Sequence, residues 1–120
     1  MKTYIAGPMS GIEEFNHPAF NAKAAELRAA GEDVINPAEF DAEIGPDQPW
    51  DVYLRRDLIL LADQCNKIVL LDGWQNSRGA NLERYVGEKL GMTIVYPDGE
   101  ERTLEPDGAA ALASHREVFV

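Results

Sequence analysis

The chain has 120 residues, with 21 acidic against 11 basic side chains and a net charge of −10. That length holds one domain, large enough to bury roughly two-thirds of the surface its unfolded chain exposes. The charge repels phosphate backbones and anionic lipid, so nucleic-acid polymers and membranes are poor partners, and no apolar run approaches the ~20 residues that span a bilayer. A single cysteine, Cys65, and a start unlike a secretory leader point to a cytoplasmic protein with a reduced thiol.

Lys2–Ala6 reads as a strand ending at Gly7-Pro8, and Gly7 to Glu14 as a loop. Asn16 is placed to cap a helix with Pro18 in its first turn, Phe20, Ala24 and Leu27 at helical spacing, and Gly31 as its stop. Val34-Ile35 is a second strand, halted by Asn36-Pro37. Two prolines and several acids make residues 38–49 a surface loop. Trp50 to Asp63 is a helix with Trp50, Leu54, Leu58 and Leu61 on one stripe. Lys67–Leu71 is a continuous apolar run suited to a central strand. A loop over Asp72–Asn76 precedes a third helix from about Ala80 to Leu90, striped by Leu82, Val86 and Leu90, and a strand over Met92–Tyr96. Residues 98–120 form an acidic extension, with a short helix around Ala109 to His115, expected to pack on or near the domain of residues 1–97. The βαβαβαβ order predicts an α/β fold: a single doubly wound, flavodoxin- or Rossmann-like parallel sheet of four to five strands flanked by helices. Ligands of such sheets sit at the carboxyl ends of the strands, near the switch in strand order.

Three segments meet there. In the helix from Trp50, Asp57 falls about 20° from Trp50 and inside the apolar stripe, while Arg55 and Arg56 point away from it. A carboxylate on an apolar face is either paired by a neighbour as a structural group or pushed up in pKa, which suits a proton donor. Ser77-Arg78-Gly79 opens a helix after a buried strand, and its backbone N–H groups and hydroxyl form an anion or hydroxyl site. Glu83 lies on the first turn of that helix, where it either complements the helix dipole or faces the pocket. In the first loop, Gly7 allows close approach to the backbone, and Ser10 and Gly11 add donors. Neither a G-x-G-x-x-G fingerprint nor a G-x-x-x-x-G-K loop is present. His17 reads as a helix-entry residue and Trp50 and Trp74 as packing residues, Trp74 with the option of covering a ligand. Two distant histidines and one cysteine give no metal-ligand cluster, and no cofactor is expected.

Taken together, Tyr4-Ile5-Ala6-Gly7-Pro8, Arg56-Asp57-Leu58 and Ser77-x-Gly79-x-x-x-Glu83 resemble the nucleoside 2-deoxyribosyltransferase superfamily, over roughly residues 3–96. The look-alikes are small phage- and bacterium-associated members of uncharacterised function. The resemblance implies Glu83 as nucleophile, Asp57 as proton-handling acid and Tyr4 as the group that orients the nucleophile. It implies N-glycosidic cleavage of a nucleoside or nucleoside 5′-monophosphate, with base transfer as a variant. Ser77 is similar to the phosphate contact of the monophosphate hydrolases, with Arg78 in support, whereas Ile12-Glu13-Glu14 departs from their glycine-rich, basic loop. The small molecule is bound by Gly7, Ser10, Gly11, Ser77, Arg78 and Gly79, and the resemblance implies a homodimer or larger homo-oligomer. The competing expectation is a protein that senses or sequesters a nucleotide without turnover.

Overall fold

The computed structural model describes residues 1–104; the short helix expected around Ala109 to His115 lies outside the described residues. Nine elements matter for the site: β1 (Lys2–Ala6), α1 (His17–Ala29), β2 (Val34–Ile35), α2 (Pro37–Ile44), α3 (Trp50–Gln64), β3 (Cys65–Leu70), α4 (Arg78–Lys89), β4 (Thr93–Val95) and β5 (Glu101–Thr103). The five strands form one sheet in the order β2-β1-β3-β4-β5. The first four are mutually parallel, and β5 runs antiparallel to β4.

Side chains alternate across the strands, so register decides which face each one serves. Tyr4 pairs with Ile35 on one side and Ile68 on the other, and Ile68 pairs with Ile94. This row belongs to one buried cluster with Leu61 and Ala80, against which α3 and α4 pack. Ile5, Val34 and Leu71 turn to the opposite face and pack with Phe20 and Ala24 of α1. Helices therefore cover both faces. Among the described residues, no helix is long and apolar enough to cross a membrane.

Four local expectations need correction. The stretch read as a loop after β2 contains α2. Asn36, fully buried, accepts from the Ala38 N–H, and Pro37 occupies the first turn. Asn36-Pro37 is thus a helix start as well as a strand stop. Asn16 does not cap α1 through its side chain. It adopts a left-handed conformation, with φ at 59°, and donates from Nδ2 to the Pro8 carbonyl at 2.9 Å. The buried stripe of α4 is Ala80, Glu83 and Gly87, with Leu82 and Leu90 left exposed. Small residues face the sheet because the helix lies close to it: a Cβ on Gly87 would stand 2.4 Å from Ile68 Cδ1. Finally, Tyr96-Pro97-Asp98-Gly99 turns the chain so that residues 101–103 pair with β4, where no strand was expected.

Candidate active site

A cavity of about 570 Å³ opens at the carboxyl ends of the parallel strands. Eight of the nine residues singled out in the sequence line it: Tyr4, Gly7, Ser10, Asp57, Ser77, Arg78, Gly79 and Glu83. Gly11 does not. Its φ of +78° instead turns the first loop. The stripe of α3 divides, with Leu58 and Leu61 in the core and Trp50 and Leu54 on the cavity wall. Trp50 is therefore a rim residue, carrying the Arg78 guanidinium 4.4 Å above its ring. Trp74 packs edge-on against Tyr96 and lies outside the cavity.

The centre is an acid pair from two helices. Glu83 is only 5% exposed, and Tyr4, wholly buried on β1, donates its hydroxyl to the Glu83 carboxyl. Burial, then the charge of Asp57, pushes Glu83 up to about 8, against the Tyr4 hydrogen bond, which favours the anion. Burial likewise pushes Asp57 up to about 6, although the Arg56 guanidinium and the Tyr4 hydroxyl hold it down. Tyr4 itself is driven well above its ordinary value by burial and then by the charge of Glu83. The two acids titrate as a coupled pair, with Glu83 the more strongly raised of the two.

Arg56 is the group sequence reasoning misplaced. Its backbone position points off the stripe, but the long side chain folds back beneath the site. Nε donates to Asp57 Oδ1 at 3.0 Å, and Nη2 donates both to that oxygen and to Asp41 Oδ1 at 2.6 Å. The guanidinium lies over the rings of Phe40 and Tyr53. Asp41, on α2, and His17, whose Nε2 lies 3.5 Å from Asp41 Oδ2, both line the cavity. Neither was singled out as functional, because α2 was read as a loop and His17 as the entry to α1. The Asn36-Pro37 cap, with Asp41 in the helix it starts, was the available signal.

The loop ahead of α4 is built to hold its shape. Ser77 Oγ accepts from the Ala80 N–H at 3.1 Å as the helix cap. Asn81 Nδ2 donates to the carbonyls of Trp74, Gln75 and Ser77. Gly79 is not pressed by the protein, since a Cβ there would meet only Ser77 Oγ at 3.9 Å. Gly7 is pressed: its added Cβ would lie 2.8 Å from Leu71 Cβ, an atom fixed to the backbone. Gly7→Ala is expected to destabilise the fold by about 1–3 kcal/mol, read by urea denaturation. A variant as stable as its parent would show that the two loops are not in contact.

The first loop also stores strain. Glu14, Phe15 and Asn16 have successive positive φ values of 54°, 52° and 59°, a conformation disfavoured by roughly 1–2 kcal/mol per residue. The turn presents Phe15 to the cavity while Glu13 and Glu14 remain exposed and outside its wall. Strain held by surrounding contacts is common where a ligand is gripped.

These features define an α/β protein with a buried acid pair at the strand ends of its sheet. Residues 1–96 match the family described as a domain of unknown function, DUF4406, and the chain belongs to that family. No curated protein and no solved structure matches it.

Proposed function

We propose that the protein is an N-glycosidase that cleaves the base–sugar bond of a nucleoside or nucleoside 5′-monophosphate, with base transfer as a variant. One observation carries the reading: two carboxyl groups from separate helices, both pushed up by burial, share one cavity with a tyrosine hydroxyl on the second of them. Retaining cleavage needs that division between a nucleophile and an acid. The strand order, with helices on both faces, fits a doubly wound sheet and supports the resemblance to the nucleoside 2-deoxyribosyltransferase superfamily.

In this mechanism the pair holds one proton, on Glu83, and substrate binding moves it. The Tyr4 hydroxyl turns from Glu83 toward Asp57, and Glu83 gives its proton to the Tyr4 oxygen as that hydroxyl gives its own to Asp57. The Glu83 carboxylate then attacks C1′, the C1′–N bond breaks, and its electron pair stays on the base nitrogen, which takes the proton from Asp57. Water enters next, loses a proton to Asp57 and attacks C1′, releasing the sugar and regenerating Glu83. In the transfer variant a second base replaces water.

Ser77, Arg78 and the start of α4 are the proposed phosphate seat, and Gly7 and Ser10 line the same cavity. The acids of the first loop stay off the wall, which favours the monophosphate branch. The reading places a homo-oligomer in a reducing, cytoplasmic compartment, in keeping with the free, buried Cys65. Ile59 (68% exposed) and Tyr85 (54%), with Val52 and Leu82, leave an apolar outer face on α3 and α4. A dimer would cover that face, and sedimentation should report about twice the 13.3 kDa chain mass. A monomer across micromolar concentrations would remove the dimer.

The test is release of free base from a panel of nucleosides and nucleoside 5′-monophosphates. Release that depends on Glu83 supports the reading. Tight nucleotide binding with no free base from any substrate would leave a sensing or sequestering protein in its place.

A further inference from the structure

Arg56 has more carboxylate around it than one guanidinium can neutralise. Asp57 is faced by Tyr4 from β1, Glu83 from α4, its own neighbour Arg56, and Asp41 from α2; beyond Asp41 stands His17 from α1. Arg56 Nη2 is shared between Asp41 and Asp57. Among the described residues its Nη1 is buried without a hydrogen-bond partner, so the fork is not saturated by either acid. The aromatic platform of Phe40 and Tyr53 holds the cation flat while fixing neither carboxylate.

We propose that Asp41 is a positioning residue that keeps the Arg56 guanidinium shared, so that Asp57 is never the sole partner of that cation. A guanidinium released from Asp41 and closed on both oxygens of Asp57 would hold it as an anion by charge and geometry together. An acid that must carry a proton cannot work in that state. Asp41 shares one arm, Nη2, and both Arg56 contacts to Asp57 fall on its Oδ1 alone. The assignment of the proton to Asp57 rests on the glycosidase reading, whereas the sharing of Arg56 does not.

The experiment is a double-mutant cycle read by carboxyl-carbon NMR titration of Asp57 in the full chain, with no ligand added. Asp41→Asn is expected to lower the Asp57 midpoint by about one pH unit, because Arg56 then turns wholly to Asp57. In an Arg56→Met background, which keeps the packing on Phe40 and Tyr53, the same substitution should move Asp57 by much less. Equal shifts with and without Arg56 would mean that Asp41 acts through its charge alone, and would overturn the proposal; so would no shift at all.

On substrate, Asp41→Asn should carry the acid limb of base release toward acid by about the same interval and lower the plateau rate about tenfold, because the shared proton passes less readily to Asp57, with KM little changed. If the parent protein releases no base, the glycosidase reading fails while the titration still decides the sharing of Arg56.

Discussion

Glu83→Gln is expected to abolish base release and, at neutral pH, to make the protein more stable. The two effects have one cause. A nucleophilic carboxylate replaced by an amide leaves only binding and the remaining polar groups, a loss on the order of 10⁴-fold or more. The folded Glu83 pKa, about 8, lies above its ordinary 4.5. As pH rises through that interval, the unfolded chain has released this proton while the folded chain retains it. Native stability therefore falls with pH, by about 1.4 kcal/mol per unit at most for one group, and stops falling above the folded value. Glutamine cannot ionise and can still accept from Tyr4. The gain over the parent should be small at pH 5 and reach on the order of 3 kcal/mol at pH 8, read by chemical denaturation at both. An equal loss of stability at every pH would mean that Glu83 sits in its pocket as a satisfied structural anion.

Asp57→Asn should reduce base release by roughly 10²–10⁴-fold, the range for removal of a general acid. The loss should depend on the leaving group. A base that departs readily as an anion needs little protonation, so its substrates should retain most of their rate, while poor leaving groups should suffer the full effect. Comparing kcat/KM for two such nucleotides, parent against variant, decides the point. The same proportional loss for both would place Asp57 in binding rather than proton transfer. The variant also leaves Arg56 with Asp41 as its remaining carboxylate partner, so its fold should be checked before its rate is read.

Much of this was legible in the residues. Apolar runs and their stops placed β1, β2, β3 and β4 and three of the helices, because each carries a pattern whose period matches its backbone. The acid pair was legible for a related reason: Asp57 interrupts an apolar stripe, and an interruption of that kind needs an explanation. α2 was hidden because Asn36-Pro37 serves at once as the end of β2 and the start of a helix. β5, at Glu101–Thr103, is short, exposed and polar, and it depends on pairing with β4 rather than on any pattern of its own. On α4, hydrophobicity pointed to Leu82 and Leu90, but close packing on Ile68 selected Gly87 and Ala80. Arg56 escaped because a helical wheel describes where a Cβ points, and a side chain of that length can return to the face its backbone leaves.

A 2′-fluorinated nucleoside 5′-monophosphate slows hydrolysis of a glycosyl-enzyme more than it prevents its formation when the base leaves well, and intact-protein and peptide mass spectrometry can follow it. The expected result is a gain of one fluorinated pentose phosphate on the peptide containing Glu83, formed as one equivalent of base is released and absent from Glu83→Gln. Base released in many turnovers from an ordinary substrate, undiminished in Glu83→Gln and with no sugar ever attached to the protein, would contradict the central claim.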